Sequence, residues 1–173
     1  MIDVVIFDWG DTVMRDFAQY AGPMIDWPEV AAMPGITEAL RALAVDYQLV
    51  LATNAAASGA DKARGALARV GLNGYFTHVL TARELHVSKP DPGFFERVLE
   101  VCGSVPHRAV MVGDNFRTDV VGAKHASLRA IWYNLRAEAP PADVPITPDA
   151  TIRDLGDLPA AIHRLDDRAA GEI

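Results

Sequence analysis

Short apolar runs recur along the chain, separated by stretches with helical spacing. Val4–Phe7, Gln48–Ala52, His78–Leu80, Ala109–Val112 and Ala130–Tyr133 are rich in β-branched residues, and most are continuously apolar. A strand covered on one face alternates apolar with polar positions, whereas a strand covered on both faces does not. The runs therefore predict strands of a parallel sheet sandwiched between helices. Between them, Ile36, Leu40 and Leu43 fall at i, i+4 and i+7. Ala63, Ala66, Leu67 and Val70 form a second stripe, and Phe94, Phe95, Val98, Leu99 and Cys102 a third. Asp91-Pro92 predicts a helix start, with Asp as the cap and Pro at the first helical position. Gly71 and Gly103 stand where helices end.

Strands alternating with helices imply an α/β fold: a three-layer, doubly wound parallel sheet with right-handed crossovers. Residues 136–149 carry Pro140, Pro141, Pro145 and Pro148 and read as an irregular connector. Leu155, Leu158, Ile162 and Leu165 then predict one closing helix, followed by a frayed tail over Asp166–Ile173. With no internal repeat, residues 1–173 read as a single domain.

Composition adds limits rather than a new picture. Half of the residues are apolar and 23% are charged, the balance of a globular protein. The net charge of −7 disfavours nucleic acid and anionic membranes as partners. A small anionic ligand could still be held by a local cationic or metal-bearing site. The single cysteine, Cys102, sits in an apolar stretch and reads as a small buried hydrophobe. The opening MIDVVIFD lacks the pattern of a signal peptide, and no apolar run reaches the ~20 residues that span a bilayer. A cytoplasmic location is expected.

In open α/β sheets, ligands bind beyond the carboxyl ends of the strands. Those ends carry Asp8-Trp9-Gly10-Asp11-Thr12, Thr53-Asn54, Ser88-Lys89-Pro90 and Gly113-Asp114-Asn115 with Asp119. Singly these residues are unremarkable: Thr53 could be a cap, Lys89 a solvated charge, Asp119 a helix-start acid. Together they supply carboxylates, a hydroxyl and an ammonium. Carboxylates brought close repel unless a cation lies between them, and oxygen ligands without a Cys or His cluster favour Mg²⁺. Such a set suits phosphoryl transfer with Asp as the nucleophile. The five histidines are scattered without ligand spacing. Neither G-x-S-x-G, G-x-G-x-x-G nor a Walker loop is present, which argues against serine-hydrolase and nucleotide-binding readings.

The ordered set VVIFDWGDT, LVLATN, SKPDPGFF and GDNFRTD resembles the motifs of the haloacid dehalogenase-like hydrolases. The resemblance covers roughly residues 3–134 and implies a Mg²⁺-dependent phosphatase with a phospho-aspartyl intermediate on Asp8. It further implies that Asp8, the Gly10 carbonyl and Asp114 bind the metal. Thr53, Asn54 and Lys89 would bind phosphate, and Asp119 and Asn115 would lie behind them.

One position departs from that family. Its second Asp, two residues after the nucleophile, protonates the leaving group and then activates water; here Gly10 stands in its place and Asp11 follows. General acid–base help is worth ~10²–10⁴-fold, so the loss matters. Three outcomes are open: Asp11 replaces the missing acid, the enzyme serves substrates with good leaving groups, or the chain is a slow or inactive relative that binds a phosphorylated ligand or protein partner. Residues 13–34 are too short for a cap domain and read as a flap-like insert with Phe17, Tyr20, Met24, Ile25 and Trp27. The open site would admit a phosphorylated small molecule or an exposed phosphate on a larger substrate. The insert could instead serve a homodimer contact.

Overall fold

The computed structural model describes residues 1–171, with side chains described through Asp167. Six parallel strands form one sheet: β1 (Val4–Phe7), β2 (Gln48–Thr53), β3 (His78–Thr81), β4 (Ala109–Gly113), β5 (Arg129–Tyr133) and β6 (Ala150–Ile152). Their order is β3-β2-β1-β4-β5-β6. The helices are α1 (Ile36–Leu43), α2 (Ala60–Arg69), α3 (Ala82–Leu85), α4 (Pro92–Cys102), α5 (Gly122–His125) and α6 (Leu158–Gly171).

Successive strand residues point to opposite faces, and here both faces are apolar. Val5, Phe7, Leu49, Leu51, Val110, Val112 and Ile131 enter one core, with α1, α2 and α6 against them. Val4, Ile6, Val50, Ala52, Met111, Ala130 and Trp132 enter the other, beneath α4. Full burial of a Leu or Phe side chain contributes about 1.5–3 kcal/mol, so the central strands are held from both sides. This explains why the strand runs lack polar alternation.

The predicted helix signals act as expected. Asp91 caps α4 by accepting from Gly93 N at 2.8 Å, with Pro92 at its first position. Gly103 closes α4 at φ 66°, a conformation that a Cβ disfavours. Two details differ. β6 follows directly on the Pro-rich connector and is too short to announce itself in the pattern. Over Asp166–Gly171 the expected fraying gives way to α6, whose Asp166 accepts from Ile2 N at 2.6 Å. Glu172 and Ile173 lie outside the described residues. Cys102 is half-buried rather than buried.

Residues 13–34 fold back onto the sheet rather than standing off it. Met24 and Trp27 are buried, and the rings of Phe17, Tyr20 and Trp27 pack as a tilted series with centroids 5.8 and 5.6 Å apart. Arg69 of α2 donates to the carbonyls of Ile25 and Trp27 at 3.0 and 2.6 Å, which ties the insert down. Among the described residues, no helix is long and apolar enough to cross a membrane.

Candidate active site

The winding of the sheet reverses between β1 and β4, which pair side by side. A crevice opens where crossovers depart to opposite faces, and here it lies above the ends of these two strands. Asp8 is the first residue past β1, and its N–H continues the ladder to Val112 O at 2.9 Å. Asp114 is the first residue past β4. Thr53 ends β2 on the other side of β1.

Lys89 reaches this crevice from the loop between α3 and α4. Its Nζ donates to Asp8 Oδ1 at 2.6 Å and to Asp119 Oδ1 at 2.8 Å. The lysine and Asp119 side chains are each 1% exposed, against 15% for Asp8. Burial works against the ammonium, but the charges of Asp119 and Asp8 outweigh it, so Lys89 stays protonated beyond its usual range. Burial likewise pushes the Asp119 carboxyl up, against the pull of Lys89.

The lysine loop is held by Asn54, whose Oδ1 accepts from Lys89 N and whose Nδ2 donates to Lys89 O, both at 2.8 Å. Both polar atoms of the side chain are thus engaged by backbone. The Thr53 hydroxyl accepts from Ala55 N at 3.1 Å, closing the turn that leaves β2.

The turn after β4 explains its glycine. Asp119 folds back so closely that a Cβ on Gly113 would collide with the Asp119 carboxylate. Asn115 accepts from Arg117 N and Thr118 N, each at 3.1 Å, and so caps the wide helical turn Phe116–Val121. Asp119 Oδ2 accepts from Asn115 N at 3.1 Å.

Asp114 is fixed by two residues that the sequence reading left without a role. Thr12, fully buried, accepts from Asp114 N at 3.1 Å and donates to Asp114 Oδ1 at 3.4 Å. Trp132, inside the Ala130–Tyr133 strand run, donates its indole N–H to Asp114 O at 2.9 Å. Burial, followed by the charges of Asp8 and Asp11, pushes the Asp114 carboxyl up to about 6.

Oxygens of Asp8, Asp114 and Asp119 all lie within 4.8 Å of one another. Three carboxylates this close, offset by one ammonium, leave negative charge uncompensated. Asp119 is fully engaged by Lys89 and the backbone. Asp8 and Asp114 each keep one carboxylate oxygen without a protein partner among the described residues. An oxygen-only donor set of this kind fits a hard divalent cation.

Asp11 is placed differently. Its backbone is left-handed at φ 54°, its Oδ1 accepts from Asp16 N at 3.0 Å, and its Oδ2 lies 3.8 Å from Arg136. Asp16, which the sequence offered no reason to single out, lies beside Gly10. Partial burial, then the nearby charges of Asp11 and Asp8, raise its carboxyl above the ordinary range. Asp11, Asp16 and Asp114 line a cleft of about 510 Å³ with Arg15, Arg117 and Arg136 on its walls.

The family model for haloacid dehalogenase-like hydrolases matches residues 10–127. The chain belongs to that family. This haloacid dehalogenase-like chain is 40% identical over 100 residues to a phosphoserine phosphatase of Thermus thermophilus, covering 57% of this chain and 39% of that protein. It is 31% identical over 127 residues to a pyrimidine 5'-nucleotidase of Escherichia coli, covering 73% of this chain and 54% of that one. The chain thus spans at most about half the length of these curated relatives. Among solved structures, a protein from Listeria monocytogenes serotype 4b superposes with a TM-score of 0.82 at 25% identity, covering 96% of this chain and 99% of that one. A 2-haloacid dehalogenase from Pseudomonas syringae shares the fold, with a TM-score of 0.79 at 24% identity, covering 95% and 99%.

Proposed function

We propose that this haloacid dehalogenase-like protein is a Mg²⁺-dependent phosphatase that hydrolyses phosphate monoesters through a phospho-aspartyl intermediate on Asp8. The observation that carries the reading is the convergence of Asp8, Asp114 and Asp119 around the buried ammonium of Lys89. The names of the relatives, a phosphoserine phosphatase and a pyrimidine nucleotidase among them, support a small phosphorylated metabolite as substrate. The cleft beside Asp114 leaves room for the rest of such a molecule.

Asp8 and Asp114, with the Gly10 carbonyl, would hold the cation. Bound there, Mg²⁺ supplies charge neutralisation and Lewis acidity at the phosphoryl oxygens. The remaining chemistry belongs to the chain. Lys89 restrains one oxygen of Asp8, which fixes the carboxylate for attack on phosphorus. Its positive charge also draws the phosphoryl group toward the nucleophile, with Thr53 beside it. Asp119 keeps Lys89 protonated and aimed, and Asn54 and Asn115 hold the loops that present this pair.

The test is phosphate release from p-nitrophenyl phosphate and a panel of phosphorylated metabolites. Turnover is expected with Mg²⁺, and its loss with chelator or in Asp8→Asn. Wild-type protein inactive on every compound, yet still binding phosphate in a Mg²⁺-dependent way, would instead mark a non-catalytic ligand-binding relative.

A further inference from the structure

Hydrolysis through Asp8 requires a proton twice. The leaving oxygen must receive one, and the attacking water must lose one. Position 10 has no side chain to offer, so another group has to face the reacting phosphorus. Lys89 and Asp119 are paired and withdrawn from solvent. Asp114 is tied to Thr12 and belongs to the proposed metal set. Asp11 is held by Asp16 N and lies toward Arg136.

Asp16 remains, and its position is distinctive. A Cβ built on Gly10 would stand 3.6 Å from both Cβ and Oδ2 of Asp16. The Asp16 side chain therefore lies in van der Waals contact with the point where a side chain at position 10 would begin. Among the described residues it has no hydrogen-bond or ion-pair partner, and it faces the cleft that also exposes Asp114. The loop is built to return it there. Trp9 O accepts from Val13 N and Met14 N at 2.9 and 3.0 Å, and Asp11 N donates to Met14 O at 2.7 Å. Asp11 Oδ1 then takes Asp16 N at 3.0 Å, so the left-handed Asp11 anchors the residue that comes back beside Gly10.

We propose that Asp16 is the proton-transfer residue of the Asp8 reaction, presenting a carboxyl beside position 10, where the side chain is missing, with Asp11 as the residue that positions it. This rests on the reading of Asp8 as nucleophile. In the first step an Asp8 oxygen bonds to phosphorus, the bond from phosphorus to the leaving oxygen breaks with its electron pair on that oxygen, and the protonated Asp16 gives it a proton. The alcohol departs. In the second step the Asp16 carboxylate takes a proton from water as the water oxygen bonds to phosphorus. The bond from phosphorus to Asp8 breaks, Asp8 returns as carboxylate, inorganic phosphate leaves, and Asp16 is protonated again.

The experiment compares wild type, Asp16→Asn, Asp16→Glu, Asp11→Asn and Asp8→Asn with Mg²⁺, after melting curves confirm that each folds. The substrates are glycerol 2-phosphate, with a poor leaving group, and p-nitrophenyl phosphate, with a good one. Asp16→Asn is expected to lower kcat/KM for the alkyl ester by ~10²–10⁴-fold, and the loss on the aryl ester is smaller by about tenfold or more, because kcat/KM reports the step in which the leaving group departs. With acetyl phosphate, phosphorylated protein accumulates in Asp16→Asn because the base for its hydrolysis is gone. Asp16→Glu recovers part of the alkyl activity, and Asp11→Asn, which keeps the acceptor for Asp16 N–H, loses less than Asp16→Asn. Equal losses in kcat/KM on the two esters, or a selective loss in Asp11→Asn but not in Asp16→Asn, would overturn the assignment. Wild type without turnover, or Asp8→Asn with undiminished turnover, would remove the nucleophile reading itself and this proposal with it.

Discussion

Lys89 Nζ stands 2.6 Å from Asp8 Oδ1 while its own side chain is 1% exposed. An ammonium this deeply buried is stable only because Asp119 meets it at 2.8 Å on the other side. One lysine therefore serves folding and chemistry together, and the two roles should separate experimentally.

Lys89→Met keeps much of the volume but leaves Asp119 buried without its partner. A loss of about 3–5 kcal/mol in urea unfolding is expected, together with loss of turnover. Adding Asp119→Asn to Lys89→Met should restore much of the stability and none of the activity. A double variant no more stable than the single one would contradict the pairing.

The two hydrogen bonds between Asn54 and the Lys89 backbone, one donated and one accepted by the carboxamide, hold the lysine loop. Asn54→Ala leaves those backbone groups unpaired and should cost about 1–3 kcal/mol. Turnover should fall while the rise in melting temperature with Mg²⁺ persists, because neither Asp8 nor Asp114 is touched. Loss of the Mg²⁺ response in this variant would tell against Asn54 acting through Lys89.

Most of the fold was legible in the residue pattern, because strands buried on both faces must be apolar throughout and helices must carry one apolar stripe. Asp8, Thr53 and Asp114 were legible as well, since each follows or closes a strand whose end the pattern marks. Lys89 was also read at a strand end, but β3 stops at Thr81 and α3 intervenes, so the lysine reaches the site from the loop before α4. β6 was hidden because three residues carry no period. Asn54 is separated from Lys89 by α2, β3 and α3, so its carboxamide could be read as a ligand but not as a clamp. The partnership of Gly10 with Asp16 was illegible for a related reason. It depends on the left-handed turn at Asp11 and on Trp9 O gathering the loop, and neither leaves a mark in residue type.

Asp114 carries the clearest pH dependence. Its carboxyl rises from an ordinary 3.8 to about 6 in the fold. The folded state thus binds a proton there more tightly than the unfolded chain does. This contribution to stability is fully present below the unfolded value and is lost as pH rises through about 6. In chelator, Asp114→Asn should therefore gain on wild type in melting temperature as pH is raised from about 4 to above 6. At neutral pH, Mg²⁺ should raise the melting temperature of wild type and have little effect on the variant. A difference between the two proteins that does not change with pH would contradict the strained ionisation of Asp114.

Trapping the phosphoryl group tests the central claim most directly. The protein is mixed with acetyl phosphate and Mg²⁺, reduced with borohydride to convert any acyl phosphate to homoserine, and mapped by mass spectrometry. The account predicts homoserine at position 8 in wild type and in Asp16→Asn, with more in the latter, and none in Asp8→Asn. Modification of another residue, or turnover that continues in Asp8→Asn with no acyl phosphate formed, would contradict it.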